Sequence, residues 1–180
     1  KDEPLDNTKL ESLDIKFGNK CNLKCKMCDP WTSSELQKEW QELGWEYNDP
    51  IVKSSTKDKV DYNWPMKEKN IKKLKDMAKH YKRFHFSGGE PLLHKSLFNW
   101  MKHCIDNNYA RNIDFGIVTN GTIIPPQFIE LADQFNSVSV SLGIDGLNDT
   151  SNYIRYPGNF NTIEQNTKFY YNYNQKRHCW

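Results

Sequence analysis

The sequence predicts an α/β fold in which βα units lay down a parallel sheet. Two observations carry this. Short β-rich runs alternate with amphipathic stretches of helical period along most of the chain. The motifs able to do chemistry each follow directly on one of those runs. In βα barrels the C-terminal ends of the strands are where sites are built, and random motifs would scatter over both ends.

The chain opens with a polar stretch carrying Pro4, so residues 1–11 read as a lead-in arm and 12–180 as the core. Leu13, Ile15 and Phe17 alternate with polar residues and predict a first strand over 12–18. A loop with three cysteines follows and closes at Asp29-Pro30-Trp31. Thr32-Ser33-Ser34-Glu35 then supplies N-cap hydroxyls, with Glu35 placed to complete a capping box. Leu36, Trp40 and Leu43 recur at helical spacing, and Gly44 predicts the stop.

From Trp45 to Pro65 no period is visible and Asn48-Asp49-Pro50 and Trp64-Pro65 break the chain. The stretch reads as a long connection. Residues 67–82 form a predicted helix whose lysines make a solvated face. A second strand (83–86) runs into Gly88-Gly89-Glu90-Pro91, and a helix is expected over 96–107. A third strand (113–118) ends at Asn120-Gly121. Pro126 fits an early turn of a helix to about Phe135. A fourth strand (137–142) ends at Ile144-Asp145-Gly146, and a loop through Arg155-Tyr156-Pro157-Gly158 leads to a last helix from about Thr162.

With 180 residues the chain can bury one domain core. Its net charge of +2 gives no electrostatic case for nucleic acid or an anionic membrane as partner. No apolar run approaches a membrane span, and no signal-peptide pattern is visible at Lys1. Five cysteines, three of them clustered, suit a reducing cytoplasm better than a disulfide scaffold. The first residue is not Met, so the chain is expected to be a processed or partial piece.

Cys21, Cys25 and Cys28 fall within eight residues at a strand exit. Thiolates ligate iron–sulfur clusters, and three local ones leave one iron of a four-iron cluster without protein sulfur. The alternative centre is zinc. Its fourth ligand would have to come from afar, from Cys104, Cys179 or one of five scattered histidines. Cys104 itself reads as a small buried hydrophobe, and His85, His94 and His103 as structural, since no carboxylate partner is evident.

The spacing Cys-x3-Cys-x2-Cys, followed in order by Phe86-Ser87-Gly88-Gly89-Glu90-Pro91, Thr119-Asn120-Gly121-Thr122 and Ile144-Asp145-Gly146, resembles the radical S-adenosylmethionine (radical SAM) enzymes. The resemblance implies a partial, TIM-like (βα) barrel, of which the four units counted here are the N-terminal ones. It implies a [4Fe–4S] cluster on Cys21, Cys25 and Cys28 whose open iron chelates SAM. An electron donor would drive cleavage of SAM to methionine and a 5′-deoxyadenosyl radical that abstracts hydrogen from a substrate.

By the same resemblance the cofactor contacts are Met27 near the adenine, Gly88, Gly89 and Glu90 at the methionine end, Asn120, Asp145 toward the ribose, and Arg155 facing the SAM carboxylate. Glycines suit close approach of a ligand to the backbone, and Glu90 would place a carboxylate or support the turn near a cationic amine. The sequence departs from the family at Gly143, where relatives carry a Ser that contacts SAM. Water or a shifted cofactor is expected to fill the gap. The wording of the motifs, with Tyr153-Ile154-Arg155-Tyr156-Pro157, is most similar to the branch with C-terminal SPASM or twitch domains. That branch implies a peptide or protein substrate. Small-molecule or nucleoside modification, or a non-catalytic iron–sulfur or zinc protein, are the other readings.

Overall fold

The computed structural model describes residues 11–45 and 61–177, the last four of these by backbone alone. The predicted arm (apart from Glu11), most of the long connection, and Cys179 lie outside the described residues.

Among the described residues four strands form one sheet in sequence order, every neighbouring pair parallel. They are β1 (Ser12–Lys16), β2 (Arg83–Ser87), β3 (Asp114–Thr119) and β4 (Ser137–Leu142). Helices fall between and after them: α1 (Ser34–Glu42), α2 (Glu68–Met77), α3 (Lys95–Asp106), α4 (Pro126–Ala132), α5 (Asn148–Ile154) and α6 (Phe160–Arg177). Parallel neighbours need crossovers, and the intervening helices supply them.

In-register rows fix which side is buried. Leu13, Phe84, Phe115 and Val138 form one row and Ile15, Phe86, Ile117 and Val140 the next. Both rows pack beneath the helices in one core with Phe17, Leu97, Trp100, Phe128, Phe135 and Tyr170. Trp100 is fully buried, touches Phe84 and Phe86 at ring-centroid distances of 4.8 and 5.0 Å, and donates its indole N–H to the Leu74 carbonyl. A buried indole is stable there because its one donor is satisfied.

The opposite face carries Asp14, Lys16, His85, Ser87, Ser139 and Ser141. There His85 Nδ1 lies 3.5 Å from Asp14 Oδ1, its register partner. His85 therefore has the carboxylate neighbour that the sequence reading denied it, because the two residues are adjacent only across strands. Gly116 lies under the same imidazole, where a Cβ would stand 2.7 Å from His85 Cδ2.

Several boundaries differ from the sequence reading. The first strand stops at Lys16, since Gly18 turns the chain with φ +74°. α2 ends at Met77 rather than 82 and gives way to turns closed by the Met77 carbonyl. α4 is shorter than expected, and α6 begins at Phe160. α5 had no sequence signal of its own. Ser33 caps α1 as expected, accepting from Leu36 N–H. Glu35, one position too early to close a capping box, pairs instead with Lys38 at 2.6 Å.

Candidate active site

Every motif lies at the C-terminal rim of the sheet. The three cysteines leave β1, Gly88-Gly89-Glu90 leaves β2, Asn120 leaves β3, and Gly143 to Gly146 leaves β4. Hydrogen bonds from all sides hold the cysteine loop. Asn19 donates to the Pro30 carbonyl and to Gln37. Ser33 Oγ donates to the Leu23 carbonyl at 2.6 Å, and Cys21 N–H donates to Ser34 Oγ at 3.1 Å. Asp29 Oδ1 accepts from Trp31 and Thr32 and closes the loop end. On the far side Lys24 and Lys26 N–H donate to the carbonyls of Tyr156 and Ile154, at 2.6 and 2.8 Å.

The two glycines after β2 serve this loop. A Cβ on Gly88 would stand 2.6 Å from the Gly18 carbonyl oxygen, and one on Gly89 2.3 Å from that of Lys20. Gly89 and Glu90 N–H donate to those same carbonyls. The close approach expected of a ligand is here made by the protein's own chain, and Gly88 also holds φ +123°.

Glu90 is wholly buried. Its carboxylate accepts from Leu92 N–H at 3.1 Å, Thr119 Oγ1 at 3.0 Å and Asn120 N–H at 2.7 Å. Of the two roles expected, it supports the turn. Burial pushes its carboxyl above the ordinary range against the pull of those donors. Asn120 then reaches the cysteine loop. Its Nδ2 donates to Asn22 Oδ1 at 2.9 Å and lies 3.9 Å from Cys21 Sγ, while Asn22 donates to Thr122 Oγ1. The Asn22 and Thr122 side chains complete this network, a part that sequence reasoning did not give them.

Across the rim Arg155 forms an ion pair with Asp145 through Nη2 and Oδ2. Asp145, expected toward a ribose, thus has a guanidinium as its carboxylate partner. The space left by the absent side chain at Gly143 holds that guanidinium, not a void for water. Met27 lies largely exposed on the outer loop.

The thiols differ. Burial raises Cys21. The Cys25 thiol donates toward Cys28, which raises Cys25 and pushes Cys28 down to about 6. Arg155 favours the thiolate at both. A cavity of ≈ 670 Å³ borders this pair, lined among others by Lys26, Trp40, Tyr153 and Tyr156. Cys104 is buried in the core away from the rim, its thiol pushed up to about 12 by burial. His94, also buried, is lowered to about 4 by burial and Lys20.

Among the described residues no three His, Cys, Asp or Glu side chains, the three loop thiols included, gather closely enough to hold one ion. The donor set is three thiols of one loop with a cation and an amide beside them. That set suits a thiolate-ligated iron–sulfur cluster, and the buried Arg155 Nε, without a hydrogen-bond partner, suits an anionic ligand next to it. Among the described residues no helix is long and apolar enough to cross a membrane.

Comparison with known proteins agrees with this geometry. The chain is 28% identical over 145 residues to the radical SAM cyclopropyl synthase TigE of Paramaledivibacter caminithermalis, covering 80% of this chain and 29% of TigE. It is 26% identical to the uncharacterized protein MJ0907 of Methanocaldococcus jannaschii, covering 77% of this chain and 40% of that protein. The fold matches that of Streptococcus suis SuiB in crystal structures with the precursor peptide SuiA (TM-score 0.53) and with S-adenosylmethionine (TM-score 0.52). Both are 16% identical, covering 88% of this chain and 29% and 30% of SuiB respectively. The chain thus spans well under half the length of these relatives. The radical SAM superfamily model matches residues 15–180, from within β1 through every motif of the rim, and the chain belongs to that superfamily, whose cofactors are a [4Fe–4S] cluster and SAM.

Proposed function

We propose that this chain is the cluster- and SAM-binding part of an enzyme that modifies a peptide or protein by hydrogen abstraction. The observation that carries it is the loop of Cys21, Cys25 and Cys28, fastened at one rim to Glu90 through Asn120 and bordered by Arg155. When bound and reduced by an electron donor, the two cofactors supply a 5′-deoxyadenosyl radical.

The chain's own residues do the holding. Cys21, Cys25 and Cys28 would take the cluster, with Asn120 beside the Cys21 sulfur as a donor that tunes it. The Gly88–Gly89 turn and Arg155 would border the methionine end of SAM, and Met27 its adenine. Glu90 acts through the backbone it anchors, and Asp145 through Arg155. A peptide substrate is favoured by the relatives, since SuiB binds a precursor peptide, and by motif wording that resembles the SPASM or twitch branch. On this reading residues 12–180 are the first four βα units of a larger core in a cytoplasmic enzyme.

Anaerobic reconstitution with iron and sulfide tests the assignment. The expected product is a brown protein that binds SAM and, with a strong reductant, releases 5′-deoxyadenosine. A colourless zinc protein, or a cluster that holds SAM at no measurable affinity, would sink it. Screening the full-length protein against peptides and nucleosides separates the substrate classes.

A further inference from the structure

One group of polar side chains lies apart from the rim. The register runs Asp14, His85, Gly116 and Ser139 straight across all four strands, on the face of the sheet opposite the core. Lys16 and Ser87 pair in the next row toward the rim, and Val118 pairs with Ser141. Asp14, Lys16, Val118, Ser139 and Ser141 are exposed, and His85 is half-buried among them.

Gly116 sets the pose of the imidazole. A Cβ there would stand 2.7 Å from His85 Cδ2 and 3.5 Å from Cγ, so that edge of the ring lies over β3. The other edge carries Nδ1, 3.5 Å from Asp14 Oδ1 on β1. The ring thus reaches from one neighbouring strand to the other. Glycine inside a strand weakens it and marks a close approach, and here the imidazole is what approaches. A carboxylate beside Nδ1 favours the proton on that nitrogen and leaves the lone pair on Nε2. Among the described residues Nε2 has no hydrogen-bond partner. The charges of Asp14 and Lys16 balance and serines line the rest of the face, so its surroundings suit a neutral donor rather than an ion.

We propose that His85 is a substrate contact whose Nε2 accepts the hydrogen bond of a neutral O–H group, in a peptide that of serine, threonine or tyrosine. Asp14 and Gly116 are positioning residues: the first holds the proton on Nδ1 and the second leaves room for the ring. His85 stands three residues before Gly88, about 10 Å along the strand, so the group it holds sits below the rim and outside the cofactor contacts. The inference rests on the reading of the rim given above and adds a substrate chemistry to it.

The test is ring-nitrogen NMR of the full-length apoprotein with labelled histidine, at about pH 8, where an ordinary imidazole is neutral. His85→Phe identifies the resonances. Wild type should carry the proton on Nδ1, and Asp14→Asn should move it in part to Nε2. Phenol and anisole are the probes, alike in shape except for the O–H proton. Phenol should shift the Nε2 resonance and bind about fivefold more tightly than anisole, the worth of one neutral hydrogen bond. Gly116→Ala, which displaces the ring, should lose most of that preference while still unfolding cooperatively, and Asp14→Asn should lose part of it. A proton on Nε2 in wild type overturns the proposal, as do equal affinities for the two probes, no shift with either, or a preference untouched in both variants. Failure to take up a cluster on reconstitution is a different result: it overturns the reading of the rim, whereas the ring nitrogens are read without cofactors.

Discussion

The two halves of the rim are built on different plans. On the β2–β3 side, Glu90 is 0% exposed, Thr119 2% and Asn120 8%, and the carboxylate and both amide ends of Asn120 find partners within the protein. On the β4 side, Asp145 is 36% exposed, Arg155 keeps an open donor, and Ile144 and Leu147 lie in solvent. Buried polar networks are rigid when every member is satisfied and costly when one is not. The first half is therefore complete within the protein, and it anchors the cysteine loop at Asn22 beside Cys21. The second keeps a buried donor open. Substitutions on the first side should appear in stability, and on the second in affinity.

The largest effect falls where the halves meet. Cys25→Ala or Cys28→Ala removes one of the proposed cluster ligands, so reconstitution should yield protein without a stable brown chromophore and no 5′-deoxyadenosine. Iron and sulfide analysis checks it. An intact, fully loaded cluster in either variant would mean that the loop is not the cluster site.

Next comes the finished half. Glu90→Ala leaves Leu92 N–H and Asn120 N–H buried without acceptors and should cost about 2–4 kcal/mol of apoprotein stability. Glu90 also gives a pH signature. Its carboxyl is raised in the fold from the ordinary 4.5. The protonated form is thus favoured by folding, and that stability is fully present below the ordinary value and lost as pH rises through the raised one. Denaturant unfolding of the apoprotein across this window should show wild-type stability falling with pH relative to Glu90→Gln. A relative rise would mean that the donors outweigh burial.

How much of this was legible in the sequence follows the same division. The strands could be read because one face is packed by Phe84, Phe86, Phe115 and Ile117 and the other is polar, which writes a period of two into the chain. The cysteine loop and the glycine pair were visible as motifs, but the reason for the glycines was not. The atoms that crowd them, the Gly18 and Lys20 carbonyls, are about seventy residues away in sequence. The Asp14–His85 contact and the Asn22–Asn120 bond were hidden in the same way. At the open half, sequence could note that Gly143 lacks a hydroxyl. It could not say that a side chain twelve positions on takes the room. α5 escaped because its seven residues are too short to show a period.

Arg155→Ala sharpens the contrast from the other side. It should leave apoprotein stability within about 1 kcal/mol of wild type, since the ion pair it breaks has a partly exposed partner, while weakening SAM binding by about tenfold or more. Parallel unfolding and dialysis measurements decide it. A large stability loss with unchanged SAM affinity would make the two halves alike.

The smallest effect tests whether the finished half acts as a network. Asn120 donates to Asn22 at 2.9 Å, while Asn22 donates to Thr122 and Thr122 donates back to Asn120 Oδ1 at 2.7 Å, so the three side chains close a ring. In such a ring each member orients the next, and removing two should cost less than the sum of removing each. A cycle of Asn22→Ala and Asn120→Ala should give a coupling of about 1 kcal/mol in apoprotein unfolding. Additive losses would mean that the loop is held by its backbone bonds alone.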